Sequence, residues 1–190
     1  MSARDSQLRY GSVSIGFHWL IAGLVILNLC LGLYMGTLPR GDALKGLIVM
    51  IHKSTGLTIL TLSVARVLWR LVNPWQPLPV DLSPALRALA RTTHLLFYFL
   101  IIAIPFSGWA MTSASLRGAP IIWYGLFEWP KLGFITALSD DDKRQVMHNA
   151  SQMHEILAFF AIGLIVLHVG AALYHHLIRR DSVLRRMLPG

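Results

Sequence analysis

Charged side chains are scarce in this sequence, and acidic ones are the scarcest. Only 14% of its 190 residues are Asp, Glu, Lys or Arg, whereas a soluble domain usually carries about 25%. Hydrophobic residues make up 55% of the chain, and its mean hydropathy is +0.57. This composition argues against an ordinary water-soluble domain and predicts that much of the chain faces lipid.

Cysteine is almost missing, since Cys30 is the only one and it lies inside an apolar run. One cysteine cannot form a disulfide within the chain, and the Cys-x-x-Cys-His sequence that attaches c-type haem does not occur. Any haem would therefore be held by side-chain ligation alone. The sequence also contains neither a nucleotide-binding loop nor a nucleophile–base set, so its chemistry is expected to belong to a cofactor.

Basic residues outnumber acidic ones by 17 to 9, which gives a formal charge of +8. The cations cluster at the ends of apolar runs, where anionic lipid headgroups and the positive-inside bias favour them. They do not form a basic patch interleaved with polar residues. We therefore expect membrane lipid as the partner of these cations and no nucleic acid.

Four apolar runs are long enough to cross a bilayer, which takes about 20 residues. They cover about residues 13–35, 47–71, 92–112 and 151–178. The prolines between the second and third runs cannot continue a helix. The first run opens with Arg4 and Arg9, as a signal peptide does, but it lacks a small-x-small cleavage site and is interpreted as a retained helix. The sequence predicts an all-α protein, a four-helix transmembrane bundle that forms one domain over residues 1–190.

An even number of spans places both termini on the same side of the membrane. That side carries ten of the Lys and Arg residues and three acids, against seven and six on the other side. The bias predicts cytoplasmic termini in a bacterial inner membrane. The long polar stretch from Ser113 to Ala150 would then lie outside, as a cap of one or two short interfacial helices with Trp123 and Trp129 at headgroup depth.

Eight histidines in so apolar a chain need an explanation, because an ionisable group inside a span is costly and usually functional. His18 lies early in the first span, near the cytoplasm, and His52 early in the second, near the outside. His154 opens the fourth span, and His168 follows 14 residues later, on the same face and about 21 Å deeper. The depths pair His52 with His154 and His18 with His168. Ligation of one haem iron by two imidazoles needs such pairs on facing helices.

Other residues of the spans fit the same interpretation. Gly56, one turn after the second-span histidine, would leave room for a flat macrocycle, although small residues also serve helix packing. Arg66 and Arg70 lie at the inner depth, where they could pair with haem propionates or simply reach for the headgroups. His94 competes with His18 as an inner ligand.

At these residues the chain resembles the prokaryotic cytochrome b561 family. The matching pieces are Arg9-Tyr10-Gly11, Phe17-His18-Trp19-Leu20, His52-Lys53-Ser54-Thr55-Gly56, Arg66-Val67-Leu68-Trp69-Arg70, His94-Leu95, His154-Glu155, His168, His175-His176 and the basic tail Leu184-Arg185-Arg186-Met187. Together they cover nearly the whole chain. The resemblance places the family's haem ligands on His18, His52, His154 and His168.

This resemblance implies two haem b groups, held without covalent bonds. It also implies electron exchange between the membrane quinone pool, such as ubiquinone, and a donor or acceptor. Some members of the family are superoxide oxidases, which pass an electron from superoxide at the outer face to ubiquinone. In that analogy His175 is a candidate quinone contact. The outer loop here is longer than in the shortest members, which leaves the outer donor open.

Three functions are compatible with these features. The first is an autonomous electron-transfer protein, a quinone- or superoxide-linked oxidoreductase that serves a small periplasmic redox partner or superoxide. The second is the cytochrome b subunit of a larger dehydrogenase or hydrogenase, which the short termini do not favour. The third is a non-haem metal transporter, which would need acidic residues along the spans, where Glu155 is the only one.

Overall fold

The computed structural model describes residues 10–73 and 83–188 of the chain. Its elements are α1 (Ser12–Thr37), α2 (Ala43–Val72), α3 (Pro84–Ser113), β1 (Ile121–Trp123), β2 (Phe127–Trp129), α4 (Gly133–Thr136), α5 (Asp140–Tyr174), a π-helical turn (His175–Arg179) and a 3-10 turn (Arg185–Met187). The helices α1, α2, α3 and α5 are long and apolar enough to cross a membrane. The predicted four-helix transmembrane bundle is thereby confirmed. Three of the prolines between the second and third runs, at positions 74, 77 and 79, lie outside the described residues.

Capping residues define where three of the long helices begin. Asp42 accepts a hydrogen bond from the Leu44 amide, 2.8 Å away, and Ser83 accepts one from the Leu86 amide at 3.3 Å. At α5 the hydroxyl of Ser139 accepts from the amide of Asp142 at 3.2 Å. Such caps satisfy amides that have no partner within the first helical turn.

The fourth long helix begins at Asp140, eleven residues before the expected start at residue 151. Its first turns carry Asp140, Asp141 and Asp142, which interact favourably with the helix dipole but are too polar for a membrane span. Hydropathy identifies only the part of a helix that lipid surrounds, so the polar extension of α5 before residue 151 was not predicted.

The outer loop contains one short helix, α4, but also a β-hairpin that the sequence analysis did not predict. Strand β1 pairs with β2 in antiparallel register, with Trp123 opposite Phe127. Three residues, 124–126, join the strands, and the amide of Leu126 donates to the carbonyl of Trp123 at 2.9 Å. The two central residues of this turn have positive φ, 46° at Tyr124 and 78° at Gly125. Tyrosine is an unusual residue at such a position, which explains why the turn was not recognised.

Small polar residues lie beside apolar ones in the interior of the bundle, and many large apolar residues are exposed on its surface. In the contacts between long helices, α3 packs against α5, and α2 against both α1 and α3. Ser54, Thr55 and Ser63 on α2 are among the most completely buried side chains, whereas Leu68 and Leu167 are exposed. Small interior residues let helices approach closely in a membrane. They also leave room in the interior for flat groups.

Candidate haem sites

His52 on α2 and His154 on α5, the pair predicted to lie at the outer side of the membrane, come together and are called the outer pair. The ring centres of His52 and His154 lie 6.1 Å apart, and both side chains are half-buried. Nδ1 of His52 lies 3.1 Å from the carbonyl oxygen of Asn28, and Nδ1 of His154 lies 2.9 Å from that of Ile104. A carbonyl oxygen only accepts hydrogen bonds, so Nδ1 carries the proton in each ring. Nε2 of each histidine is then left to bind a metal.

The spacing of this pair suits an iron held between two imidazoles. A bond from a metal to an imidazole nitrogen is about 2 Å long. Two such bonds on opposite sides of one iron, with the radii of both rings, put the ring centres about 6 Å apart. The residues present therefore fit a haem ligated by two histidines.

A cavity of about 300 Å³ adjoins the outer pair. It is lined by Asn28, Met35, Val49, His52, Lys53, Gly56, Leu57, Ile59, Ile104, Pro105, Gly108, Trp109, Met111, Thr112, Ile121 and His154. A Cβ atom on Gly32 would lie 3.2 Å from Cε1 of His52, and one on Gly108 would lie 3.2 Å from Cε1 of His154. These two glycines let the helices approach the imidazoles closely.

The inner site brings three histidines together. The ring centre of His168 on α5 lies 6.4 Å from that of His18 and 6.3 Å from that of His94. Phe97 packs edge-on against His168, with ring centres 5.1 Å apart. Both histidine spacings suit ligation of one iron, and His168 belongs to both possible pairs.

The two arginines expected at the inner depth both lie over tyrosine rings. The guanidinium of Arg66 is 5.5 Å from the ring centre of Tyr98, and its Nε is 3.4 Å from that hydroxyl. Arg66 also lies close enough to His18 for its positive charge to interact electrostatically with the imidazole. The guanidinium of Arg70 lies 5.4 Å from the ring centre of Tyr10. Gly56 lines the cavity beside His52 and His154, and a Cβ there would lie 3.6 Å from the side-chain amide nitrogen of Asn28.

The β-hairpin docks on α2 within two turns of His52. The hydroxyl of Ser54 accepts a hydrogen bond from the amide of Tyr124 at 2.8 Å. The hydroxyls of Tyr124 and Thr55 lie 2.9 Å apart, and Nε1 of Trp123 donates to the Thr58 hydroxyl at 3.2 Å. The hairpin thus covers the segment of α2 that carries the outer histidine.

His175, the quinone contact implied by the resemblance, opens the π-helical turn. Its Nδ1 lies 2.5 Å from a carboxylate oxygen of Asp181. Partial desolvation acts to raise the pKa of Asp181, but the hydrogen bonds from His175 and the Val183 amide and the charge of Arg179 outweigh it and lower that pKa below its ordinary value. The carboxylate is therefore ionised at neutral pH.

Buried histidine pairs in a transmembrane four-helix bundle define the class of membrane b-type cytochromes. The sequence matches the family described as prokaryotic cytochrome b561 over residues 9–190. The chain belongs to that family. It is accordingly a multi-pass protein of the bacterial inner membrane that binds b-type haem and takes part in electron transport.

Comparison with individual proteins agrees over almost the full chain. Cytochrome b561 homolog 2 of Escherichia coli (strain K12) is 38% identical over 189 residues, which cover 99% of this chain and 95% of that protein. A probable superoxide oxidase CybB from Yersinia pestis is 32% identical over 181 residues, or 95% and 96% of the two chains. Cytochrome b561 homolog 1 of the same Escherichia coli strain is 26% identical over 182 residues, or 95% and 97%.

Sequence reasoning missed several residues around these sites. Asn28 and Ile104 contact the histidines through their backbone carbonyls, which every residue has, so the sequence does not distinguish these positions. Glycines inside helical patterns are a known sign of close packing, so Gly32 and Gly108 could have been noticed. Asp181 follows His175 by only six residues, and an acid so close to a histidine could have suggested a pair.

Proposed function

We propose that the protein carries electrons across the inner membrane through two b-type haems and connects the quinone pool with a periplasmic donor or acceptor. The observation that supports this most strongly is the position of the two histidine clusters. His154 and His168 lie on the one long helix α5, about 21 Å apart along its axis, and each has a histidine partner on another helix at about 6 Å.

In this proposal His52 and His154 hold the outer haem, and His18 and His168 hold the inner one. Ring spacing supports both pairs, and the hydrogen bonds from Nδ1 support the outer pair in addition. His94 is the alternative partner of His168. The haems would supply one-electron redox chemistry when bound, while the protein positions the imidazoles and keeps water from them.

Quinone is proposed to react beside the inner cluster. Arg66 and Arg70 bring positive charge to that depth, which would stabilise haem propionates and an anionic form of the quinone. His175 follows His168 by two helical turns and so lies on the same face of the helix, closer to the membrane surface. Its side chain is 20% exposed, which leaves it accessible to a ligand.

Superoxide is the periplasmic donor proposed for the outer site. Lys53, half-buried, lines the cavity beside His52. Lys131 lies close enough to Lys53 for their positive charges to repel each other. Two cations therefore lie near the outer haem site, where they would attract a small anion. One relative is named a probable superoxide oxidase, which also favours this donor.

The test is to reconstitute the protein with haem and to follow its α-band after adding ubiquinol or, separately, superoxide. We expect ubiquinol and superoxide each to reduce the haems, and a failure of superoxide alone would rule it out as the donor. Protein that holds its haems but is reduced by neither would contradict the proposal. That result would favour the alternative, a cytochrome b subunit whose electron donor is a partner protein.

A further inference from the structure

A hydrogen-bonded carboxylate–imidazole pair lies where α5 ends, beyond the inner histidines. Nδ1 of His175 is 2.5 Å from Oδ2 of Asp181, and the two side chains are 20% and 29% exposed. The pair lies about 10 Å along the helix axis from His168. None of the proposed haem contacts uses Asp181.

The backbone after α5 is shaped so that this carboxylate reaches back to the helix. Residues His175–Arg179 form a π-helical turn, and Arg180 takes a left-handed conformation with φ of +53°. The amide of Asp181 then donates to the carbonyl of His175 at 3.2 Å. Left-handed backbone is costly for arginine, and π-helical turns often mark functional sites.

The carboxylate is held from more than one direction. Oδ1 of Asp181 accepts a hydrogen bond from the amide of Val183 at 3.0 Å, and Nε of Arg179 lies 3.9 Å from Oδ2. The following segment is attached to α1, because Nε1 of Trp19 donates to the carbonyl of Met187 at 2.6 Å. Trp19 directly follows His18, so the segment that carries Asp181 is anchored beside the inner histidines.

These contacts determine which nitrogen of His175 carries the proton. An ionised carboxylate only accepts hydrogen bonds, so Nδ1 must donate, and Nε2 keeps a free lone pair. When Nε2 takes a second proton, the adjacent carboxylate stabilises the imidazolium that forms. The same arrangement orients the histidine of catalytic triads, where the aspartate itself stays ionised.

We propose that Asp181 positions His175 as the proton acceptor for quinol oxidation, an inference that rests on the quinone function proposed above. Oxidation of one ubiquinol releases two electrons and two protons. The two electrons would pass to the bound haems, whose one-electron chemistry accepts them singly. One hydroxyl proton passes to Nε2 of His175 and the other to water at the membrane surface. Quinone reduction reverses these transfers. Asp181 is a positioning residue and exchanges no proton with the quinone.

The kinetic test compares Asp181→Asn with wild-type protein, both checked for equal haem content. Asparagine keeps the size of the side chain but removes the charge that orients and stabilises the imidazolium. We expect reduction of the α-band by ubiquinol to slow at least about tenfold, since a positioned base contributes 10²–10⁴-fold. Reduction by dithionite, which needs no proton acceptor, should keep its rate. Asp141→Asn, an exposed acid in the first turn of α5, is the matched control and should behave as wild type.

Asp181→Glu distinguishes the role of the carboxylate from a purely structural effect. It keeps a carboxylate at this position, so we expect its rate of reduction by ubiquinol to lie between those of Asp181→Asn and wild type. The pair itself is read out by ¹⁵N NMR of histidine-labelled protein, with the His175 signals assigned by their loss in His175→Ala. We expect the Nδ1-protonated tautomer in wild-type protein and a mixture of the two neutral tautomers in Asp181→Asn.

Two outcomes separate this inference from the function on which it rests. If ubiquinol fails to reduce wild-type protein that holds its haems, the quinone function is wrong and this inference falls with it. If ubiquinol reduces wild type and Asp181→Asn at the same rate, the quinone function stands and the role of Asp181 alone is refuted.

Discussion

Backbone carbonyls, rather than acidic side chains, orient the outer histidines. His52 and His154 each direct Nδ1 to a carbonyl oxygen in a neighbouring helix, and the hydroxyl of Ser107 lies 3.1 Å from Nδ1 of His154 as well. A carbonyl is neutral, so it orients the ring without adding a charge to the membrane interior, where charges are expensive. Because a side-chain substitution leaves the backbone carbonyl in place, the role of these histidines is tested by substituting the histidines themselves.

The ligand assignment predicts a specific loss of haem in each histidine variant. His154→Ala and His168→Ala should each retain about half of the haem, because each residue ligates a different iron. Haem content is measured as the pyridine haemochrome. His148→Ala, an exposed residue of α5, is the control and should retain all of it.

The inner pair is decided by the same assay. If His18 is the partner of His168, His18→Ala should lose the inner haem while His94→Ala retains it. The reverse pattern would reassign the inner ligand to His94. Full haem content in both His154→Ala and His168→Ala would refute the whole assignment.

At the scale of the elements, α2 combines two roles within a few residues. His52 faces the outer cavity, and Ser54, Thr55 and Thr58 hold the β-hairpin. A two-stranded hairpin is only marginally stable by itself. Its docking on α2 therefore stabilises it, and the same contacts cover the outer end of the bundle near the proposed haem.

Removal of the Ser54 hydroxyl should loosen this hairpin. Ser54 is fully buried, and Ser54→Ala leaves the amide of Tyr124 without its acceptor, which costs about 1–3 kcal/mol. We expect faster hydrogen exchange at Tyr124 and Leu126. Thr61→Ala is the control, since its hydroxyl bonds only to the Leu57 carbonyl of its own helix. Unchanged exchange in Ser54→Ala would show that the hairpin is held in another way.

At the scale of the whole molecule, polarity is distributed as lipid requires. Large apolar side chains are exposed along the long helices, while the buried polar side chains are small ones such as Ser54, Thr55 and Ser63. The acidic first turn of α5 adjoins the loop with the hairpin, and the π-helical turn at its other end includes His176 and Arg179. The predicted orientation places the acidic turn outside and the turn with His176 and Arg179 at the cytoplasmic surface.

The orientation predicts that both termini are cytoplasmic and that the segment with the hairpin is periplasmic. Fusions of a reporter that is active only in the periplasm, placed at Gly190 and within residues 139–143, would check this. We expect activity from the internal fusion alone. Periplasmic activity from the fusion at Gly190 would invert the topology and exchange the proposed quinone and superoxide sides.

The sequence by itself determined the four spans and the depths of the histidines. The length of a hydrophobic run identifies a span. Because the rise per residue of a helix is constant, the 14 residues between His154 and His168 give the difference in depth between the two side chains. Span length and depth are properties of a single helix, so both could be predicted without knowing how the helices pack. The pairing of His52 with His154 followed because the alternating direction of the spans places them at equal depth.

Only the tertiary structure decided what lies beside each residue. Depth could not choose between His18 and His94, and both do lie near His168. The carbonyl of Asn28 became a partner of His52 through the packing of α1 on α2, and Asp181 met His175 because the chain reverses at Arg180. These contacts depend on lateral packing and backbone direction, which hydropathy and helical period do not encode.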